Sequence, residues 1–350
     1  MGSPEHSTDT TTIAPVGVAV IDAGLDPGGD LPVRARGYWE QVWIRFRRDK
    51  VAIAGGVFIV FLIAAAFIGG PIAKHLLGHG PNDQYYTAID PTTLLPLGPL
   101  SHIQDPLDPS KRVFFLLGSD STLGRDEFLR LLYGAQVSIE VAFFATFFAV
   151  CVGTAMGAVA GYFRGWVDTV ISRVIEITMA FPFLLFAIAL ASTIGSSLNG
   201  ITFGGALGNG VVTLVLIFSV FGWFYPARII RSVAMSLREK EFVEAARMVG
   251  ASDWRIIRSH LLPHLLAPII VYATIAVASY ILAEAGLSFL GLGIQLPTAS
   301  WGNLLQSASD YYTTQPWLMV WPGLAVLLTT LAFNLFGDGL RDAFDPRATR

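Results

Sequence analysis

Residues able to do covalent or metal chemistry are scarce along this chain of 350 residues. None of its four lysines, Lys50, Lys74, Lys111 and Lys240, follows a glycine, so there is no Gly-x-x-x-x-Gly-Lys-Ser/Thr loop to cradle a phosphate. A Gly-x-Ser-x-Gly nucleophile elbow and a His-Glu-x-x-His zinc pair are also missing. His260 and His264 stand four apart and could share one helix face, yet Pro263 interrupts them and no Glu follows His260, so helix capping or interface polarity explains them better than a metal. The single cysteine, Cys151, sits in an apolar run and reads as a packing residue; it allows no intrachain disulfide and no thiolate metal site. Three ionisable groups lie close to long apolar runs, where an unpaired charge is costly. Arg173 and Glu176, three apart, can pair on a helix. Glu284 stands alone, facing either a transport pathway or an interface.

The elements that position these groups are membrane helices. Hydrophobic residues make up 53% of the chain and charged ones only 14%, with mean hydropathy +0.58, far from a soluble composition. The net charge of −3 says little, but the placement of charges says more. Apolar runs long enough for the roughly 30 Å hydrocarbon layer fall at 51–73, 141–162, 172–194, 211–225, 265–283 and 316–335. Arg34, Arg36, Arg45, Arg47, Arg48 and Lys50 precede the first, and Arg228, Arg231, Arg238, Lys240, Arg247, Arg255 and Arg258 cluster between the fourth and fifth. The positive-inside rule then places both termini in the cytoplasm of an all-α integral membrane protein with six transmembrane helices. Residues 1–33 read as a disordered cytoplasmic tail, and 34–50, with Tyr38, Trp39, Trp43 and Phe46 among the cations, as an amphipathic interfacial segment. The proline-rich segment 74–138 reads as an extracytoplasmic loop with a short helix near its end. Residues 139–345 form a five-helix core, and 346–350 a cytoplasmic tail. Gly153, Gly157 and Gly161, spaced by four, predict close helix packing.

One polar insert, 241–263, interrupts the apolar core. Phe242, Ala245, Ala246 and Val249 follow helical spacing, with Glu241, Glu244 and Arg247 on the other face, and Gly250 suits the helix end because it tolerates positive φ. A short amphipathic helix held outside the membrane between two spans suits docking to a partner.

Glu244-Ala245-Ala246, then Gly250 after three residues, then Leu262-Pro263 resembles the EAA loop of ABC importer permeases, except that His260 stands where the motif usually has Ile. Leu117-Gly118-Ser119-Asp120 with Gly124-Arg125-Asp126, Leu287-Ser288-Phe289-Leu290-Gly291, Ser300-Trp301-Gly302 and Asn334-Leu335-Phe336-Gly337-Asp338 extend the resemblance over about 38–347, to the C-type permeases of dipeptide and oligopeptide importers. The resemblance implies a type I importer permease fold and no catalysis by this chain. It implies a homologous B-type permease as heterodimer partner and two cytoplasmic ABC ATPases that bind ATP and Mg2+. An extracytoplasmic peptide-binding protein would deliver substrate, and no nucleic acid is involved. Glu241, Phe242, Glu244, Ala245, Ala246, Arg247, Val249, Gly250 and Pro263 become candidates for coupling to the ATPase, and Glu284 for the pathway. A nickel importer permease is the nearest alternative. An intramembrane enzyme built on His260, His264 and Glu284 is disfavoured, because about twenty residues of helix, roughly 30 Å, separate the histidines from the glutamate. A self-sufficient channel lacks a pore-lining ring of charges.

Overall fold

The computed structural model describes residues 37–106, 110, 112–198, 200–203 and 207–345, the side chain of residue 196 excepted. The tails expected at 1–33 and 346–350 lie outside the described residues, as do Arg34 and Arg36.

Helix α1 (Tyr38–Phe46) leads into α2 (Lys50–Ala64), whose first amides are capped by the Asp49 carboxylate, 2.9 Å from Val51 N and 3.0 Å from Ala52 N. A π turn, Ala65–Gly69, joins α2 to α3 (Gly70–Leu77), so the run expected at 51–73 lies within one continuous rod, Lys50–Leu77. The π turn stands just before Pro71, whose ring cannot donate to the preceding turn and clashes with it, and widening the helix relieves both. Gly78, at φ 73°, ends the rod in the left-handed conformation.

The long loop is more ordered than its sequence announces, adding one small hairpin to an otherwise helical chain. Strands β1 (Ser101–Gln104) and β2 (Arg112–Phe115) pair antiparallel with Ser101 opposite Phe115. Ile103, Val113 and Phe115 from this hairpin pack with Tyr85 and Ala88 in a small core of their own. Burial, with Asp83, Asp105 and Asp126 nearby, pushes the Tyr85 phenol up to about 12, keeping it neutral.

Helix α4 (Glu127–Phe163) merges the expected short helix and second span into one rod of 37 residues, about 55 Å long, so it projects well beyond the hydrocarbon layer. The third expected span, 172–194, is instead two helices, α5 (Gly165–Met179) and α6 (Phe183–Leu198), bent by 81°. Pro182 accounts for the break, because it has no amide to donate and drives Phe181 out of the helical region. Next, α7 (Val211–Gly222) and α8 (Phe224–Arg238) form a second overlong rod. The insert holds α9 (Glu241–Met248) and α10 (Asp253–Ile256), followed by a π turn, Ile257–Leu261, and α11 (Leu262–Phe289). Pro263 stands to this π turn as Pro71 stands to the first. Helices α12 (Trp301–Ala308) and α13 (Trp317–Phe344) complete the chain. Among the described residues five helical runs are long and apolar enough to cross a membrane, or six if the bent α5–α6 pair is one span.

The core gathers α4, α7 and α11, with Phe218 stacked on Tyr280 at 5.4 Å. The three glycines of α4 face α8, where a β-carbon would lie 2.5 Å from Trp223 O at Gly153, 2.5 Å from Ala227 O at Gly157 and 2.7 Å from Arg231 O at Gly161. Backbone therefore meets backbone along this seam, which is packing within the chain.

Candidate coupling elbow

The site builds from the ends of the overlong rods. Helices α4, α8 and α11 all run past the apolar core at the same end of the bundle, and α9–α10 is the elbow between α8 and α11. Val243 is fully buried there against Ala158 and Tyr162 of α4, Ile230 and Ala234 of α8, and Ile256, Ile257, Leu261 and Leu265. Phe242 and Ala246 are half-buried on the same side, and the Phe242 ring lies 5.1 Å from that of His264. Tyr162 donates its hydroxyl to Asp253 Oδ1 at 2.5 Å, and the guanidinium of Arg247 lies over its ring at 5.2 Å. The elbow is thus pinned to α4 by a buried valine, a hydrogen bond and a cation–π contact, so displacing it must displace the rods as well.

Within this chain the apolar residues of the helix divide between a buried and an exposed side. Phe242, Val243 and Ala246 turn inward, whereas Ala245 and Val249, expected to share the apolar face, are exposed. The reason is that the helix has apolar residues on both sides, and α4 and α8 present only one of them with a partner. Glu241, Glu244, Ala245 and Gly250 line the exposed side, Arg247 reaches from the helix edge back over Tyr162, and Met248 is 79% and Val249 89% exposed at the tip. Trp254, from the start of α10, is a further large exposed apolar residue. Val243, Met248 and Trp254 were missed, although counting from Glu241 at i+4, i+7 and i+8 brings Ala245, Met248 and Val249 together. Gly250 adopts φ 83° and its amide donates to Arg247 O at 2.9 Å, while Ala251 N reaches Ala246 O at 3.0 Å. No atom lies within 4 Å of where its β-carbon would be, so backbone conformation alone demands glycine there. Pro263 contributes through the π turn that sets how α11 leaves the elbow.

Glu284, the pathway candidate, lies in a different place from the elbow. Its carboxylate is fully buried within the chain, accepting from Ser138 Oγ of α4 and Ser288 Oγ of α11, each at 2.7 Å. Ser288 Oγ in turn accepts from Ile294 N at 3.0 Å. The glutamate therefore ties α4 to α11 near the hairpin end of the bundle. Arg173 and Glu176 do pair, at 2.7 Å, but both are exposed, so the pair contributes little. Sequence reading missed the stronger link, in which Arg231 of α8 grips Asp168 of α5 through Nε and, at 2.7 Å, through Nη2.

A cavity of about 370 Å³ opens between α6, α7–α8 and α11, walled by Phe183, Phe221, Tyr225, Tyr272, Ser279 and Tyr280. Hydroxyls on an aromatic wall can contact both polar backbone and apolar side chains of a small solute.

The elbow presents exposed apolar side chains, Met248, Val249 and Trp254, beside the charged Glu241 and Glu244. The family described as the binding-protein-dependent transport system inner membrane component matches residues 153–350, which include the elbow. The chain belongs to that family. Residues 37–96 additionally match the N-terminal transmembrane domain of oligopeptide transport permease C. The glutathione transport system permease protein GsiD of Shigella sonnei is 35% identical over 325 residues, covering 90% of this chain and 93% of that protein. The dipeptide transport system permease protein DppC of Alkalihalophilus pseudofirmus is 37% identical over 310 residues, covering 88% and 90%. A solved chain of the methionine ABC transporter MetNI, inward-facing, overlays with TM-score 0.48 at 18% identity, over 62% of this chain and 96% of that one. As an importer permease this chain is a non-catalytic, multi-span membrane subunit.

Proposed function

We propose that this permease moves dipeptides or other short peptides inward across the cytoplasmic membrane, driven by ATP hydrolysed in partner subunits. The observation that carries the coupling is the exposed Met248–Val249 tip on a helix whose opposite face is buried against α4, α8 and α11. Large exposed apolar side chains on a rigid, membrane-external element favour a protein partner. Lacking a P-loop, the chain needs its motor in trans, and two ABC ATPases holding ATP and Mg2+ fit the elbow. A homologous B-type permease would complete the pore, and an extracytoplasmic binding protein would deliver substrate. The cations Arg45, Arg47, Arg48 and Lys50 before and at the start of α2, and those of α8 and the elbow, support a cytoplasmic position for this end of the bundle. The tyrosine-lined cavity would contribute to the pathway, with Glu284 as a further candidate, and closure of the ATPases would reorient it by moving the rods as rigid bodies.

Peptide as substrate is supported by the relatives, of which one is named for dipeptide and one for glutathione, itself a tripeptide. The test is uptake by proteoliposomes containing this chain with its partner permease, ATPases and binding protein, supplied with labelled dipeptide, glutathione or Ni2+. The expected outcome is peptide accumulation that requires both ATP and binding protein. Accumulation of Ni2+ but of neither peptide, or uptake without ATP, would overturn the proposal.

A further inference from the structure

A groove of about 930 Å³ runs along the outside of the bundle at the elbow end, between α1, α2 and α13, with Ile270 of α11 at its floor. Its walls include Trp43 and Phe46 of α1, Val57 and Val60 of α2, and Phe336 and Leu340 of α13. Among the described residues that line it, Arg47 alone is charged. Helix α1 is held over the groove by its own contacts with the end of α13. The Trp39 and Phe344 rings meet edge to face at 6.0 Å, Phe46 and Phe336 likewise at 5.6 Å, and Arg45 Nη1 donates to Asp345 O at 2.9 Å. Its shape is therefore fixed by α1, which crosses the mouth of the space between α2 and α13.

The two ends of the groove differ in chemistry. From Ile53 to Val60 it follows two turns of α2, about 10 Å of rise, with no polar group offered by the lining helix. Val57 and Val60 are 64% and 68% exposed, so this stretch opens towards the hydrocarbon. At the other end Arg47 lines the groove, with Arg48 and Lys50 next along the chain; all three are exposed, and none is ion-paired to a described residue. The carboxylate next to them, Asp49, is occupied in capping α2 through the amides of Val51 and Ala52. An apolar slot open to the membrane, ending at the interface beneath three free cations, has the charge and polarity profile of a phospholipid with a negative headgroup.

We infer that this groove is a binding site for an anionic phospholipid, with an acyl chain lying between α2 and α13 and the phosphate held by Arg47, Arg48 and Lys50. A bound lipid fills the space beneath α1 and fastens the interfacial helix to the end of α13, close to the rods that leave the membrane for the elbow. Selectivity comes from the cations and retention from the slot, and the two separate experimentally.

The test is native mass spectrometry of the delipidated permease complex, titrated with phosphatidylglycerol or phosphatidylcholine of identical acyl chains. The wild type should retain phosphatidylglycerol at least about tenfold better, since each cation near the headgroup is worth about fivefold. Arg47→Gln with Arg48→Gln should remove most of that preference, lowering phosphatidylglycerol retention towards that of phosphatidylcholine. Val57→Trp, on an outward-facing position and so compatible with folding, should fill the slot and expel both lipids, with Val60→Trp as an independent second variant. In parallel, phosphatidylglycerol bearing a diazirine in its acyl chain should label α1 and α2 peptides in vesicles. Equal retention of the two lipids, retention unaffected by both tryptophan variants, or displacement of phosphatidylglycerol by inorganic phosphate would each overturn the assignment. So would diazirine labelling of a protein subunit seated in the groove.

Discussion

Gly157→Leu should cost about 3 kcal/mol or more of stability, beyond the 1–3 kcal/mol typical of overpacking. The excess arises because the atoms that a side chain would strike cannot swing away. The first added carbon would lie 2.5 Å from Ala227 O, 3.0 Å from Arg231 N and 3.0 Å from Ile230 Cβ, which are backbone and branch-point atoms of α8. With lipid outside and protein inside equally apolar, the helices are held by packing contact, so separating α4 from α8 removes the main attraction. The seam also carries the elbow, because Ala158 and Tyr162 of α4 and Ile230 and Ala234 of α8 surround Val243. Thermal unfolding in nanodiscs measures the loss, and Gly286→Ala serves as the control. Gly286 lies in the last turn of α11 with nothing within 4 Å of its would-be β-carbon, so its alanine should be neutral or stabilising by up to about 1 kcal/mol.

Asp120→Ala should destabilise the opposite end of the bundle by about 3–5 kcal/mol, the usual penalty for leaving buried charges unpaired. Asp120 is 2% exposed and accepts from Arg125 through Nε at 2.9 Å and Nη2 at 2.6 Å. Its Oδ2 also lies 2.9 Å from Nε of Arg130, itself buried. Removing the carboxylate leaves two buried guanidinium groups beside the buried Glu127, with Arg130 keeping hydrogen bonds to Asn82 Oδ1 at 2.9 Å and Pro297 O at 3.3 Å. Those partners join the long loop and the segment before α12 to the start of α4. Hydrogen exchange should therefore show fraying at β1, β2 and the first turns of α4, with α9 unaffected. Uniform protection in the variant would mean that the cluster does not hold this end together.

The sequence made the apolar runs legible because membrane helices announce themselves by length and composition, and it made the α4 seam legible because three glycines at a spacing of four have few other uses. The ends of the rods were not legible. The short helix expected before residue 138 proves continuous with the second span, and Phe224 to Arg238, polar enough to resemble a loop, carries the fourth span onward as helix. The break at Pro182 hid inside an uncharged run, since hydropathy does not register a missing amide. Motif resemblance found the elbow, but not its division of faces. Which side of α9 is buried depends on α4 and α8, far away in sequence, and only their positions show that Val243 turns inward while Met248 and Val249 stay free. Glu284 illustrates the same point, because its partners Ser138 and Ser288 come from two different helices and nothing in its own neighbourhood names the first of them.

The central claim is that the free side of α9 transmits the motor's movement, and the most direct measurement uses Met248→Asp with Val249→Asp in the full importer. Both side chains are exposed in this chain, so the substitutions should leave its folding and membrane insertion unchanged. If the tip is seated in the ATPase, each residue should behave as an interface anchor worth about 2 kcal/mol, roughly 30-fold in affinity. ATPase co-purification and ATP-driven peptide uptake should then fall together, while binding-protein docking on the hairpin side persists. Normal co-purification with normal uptake per ATP in the double variant would contradict the account.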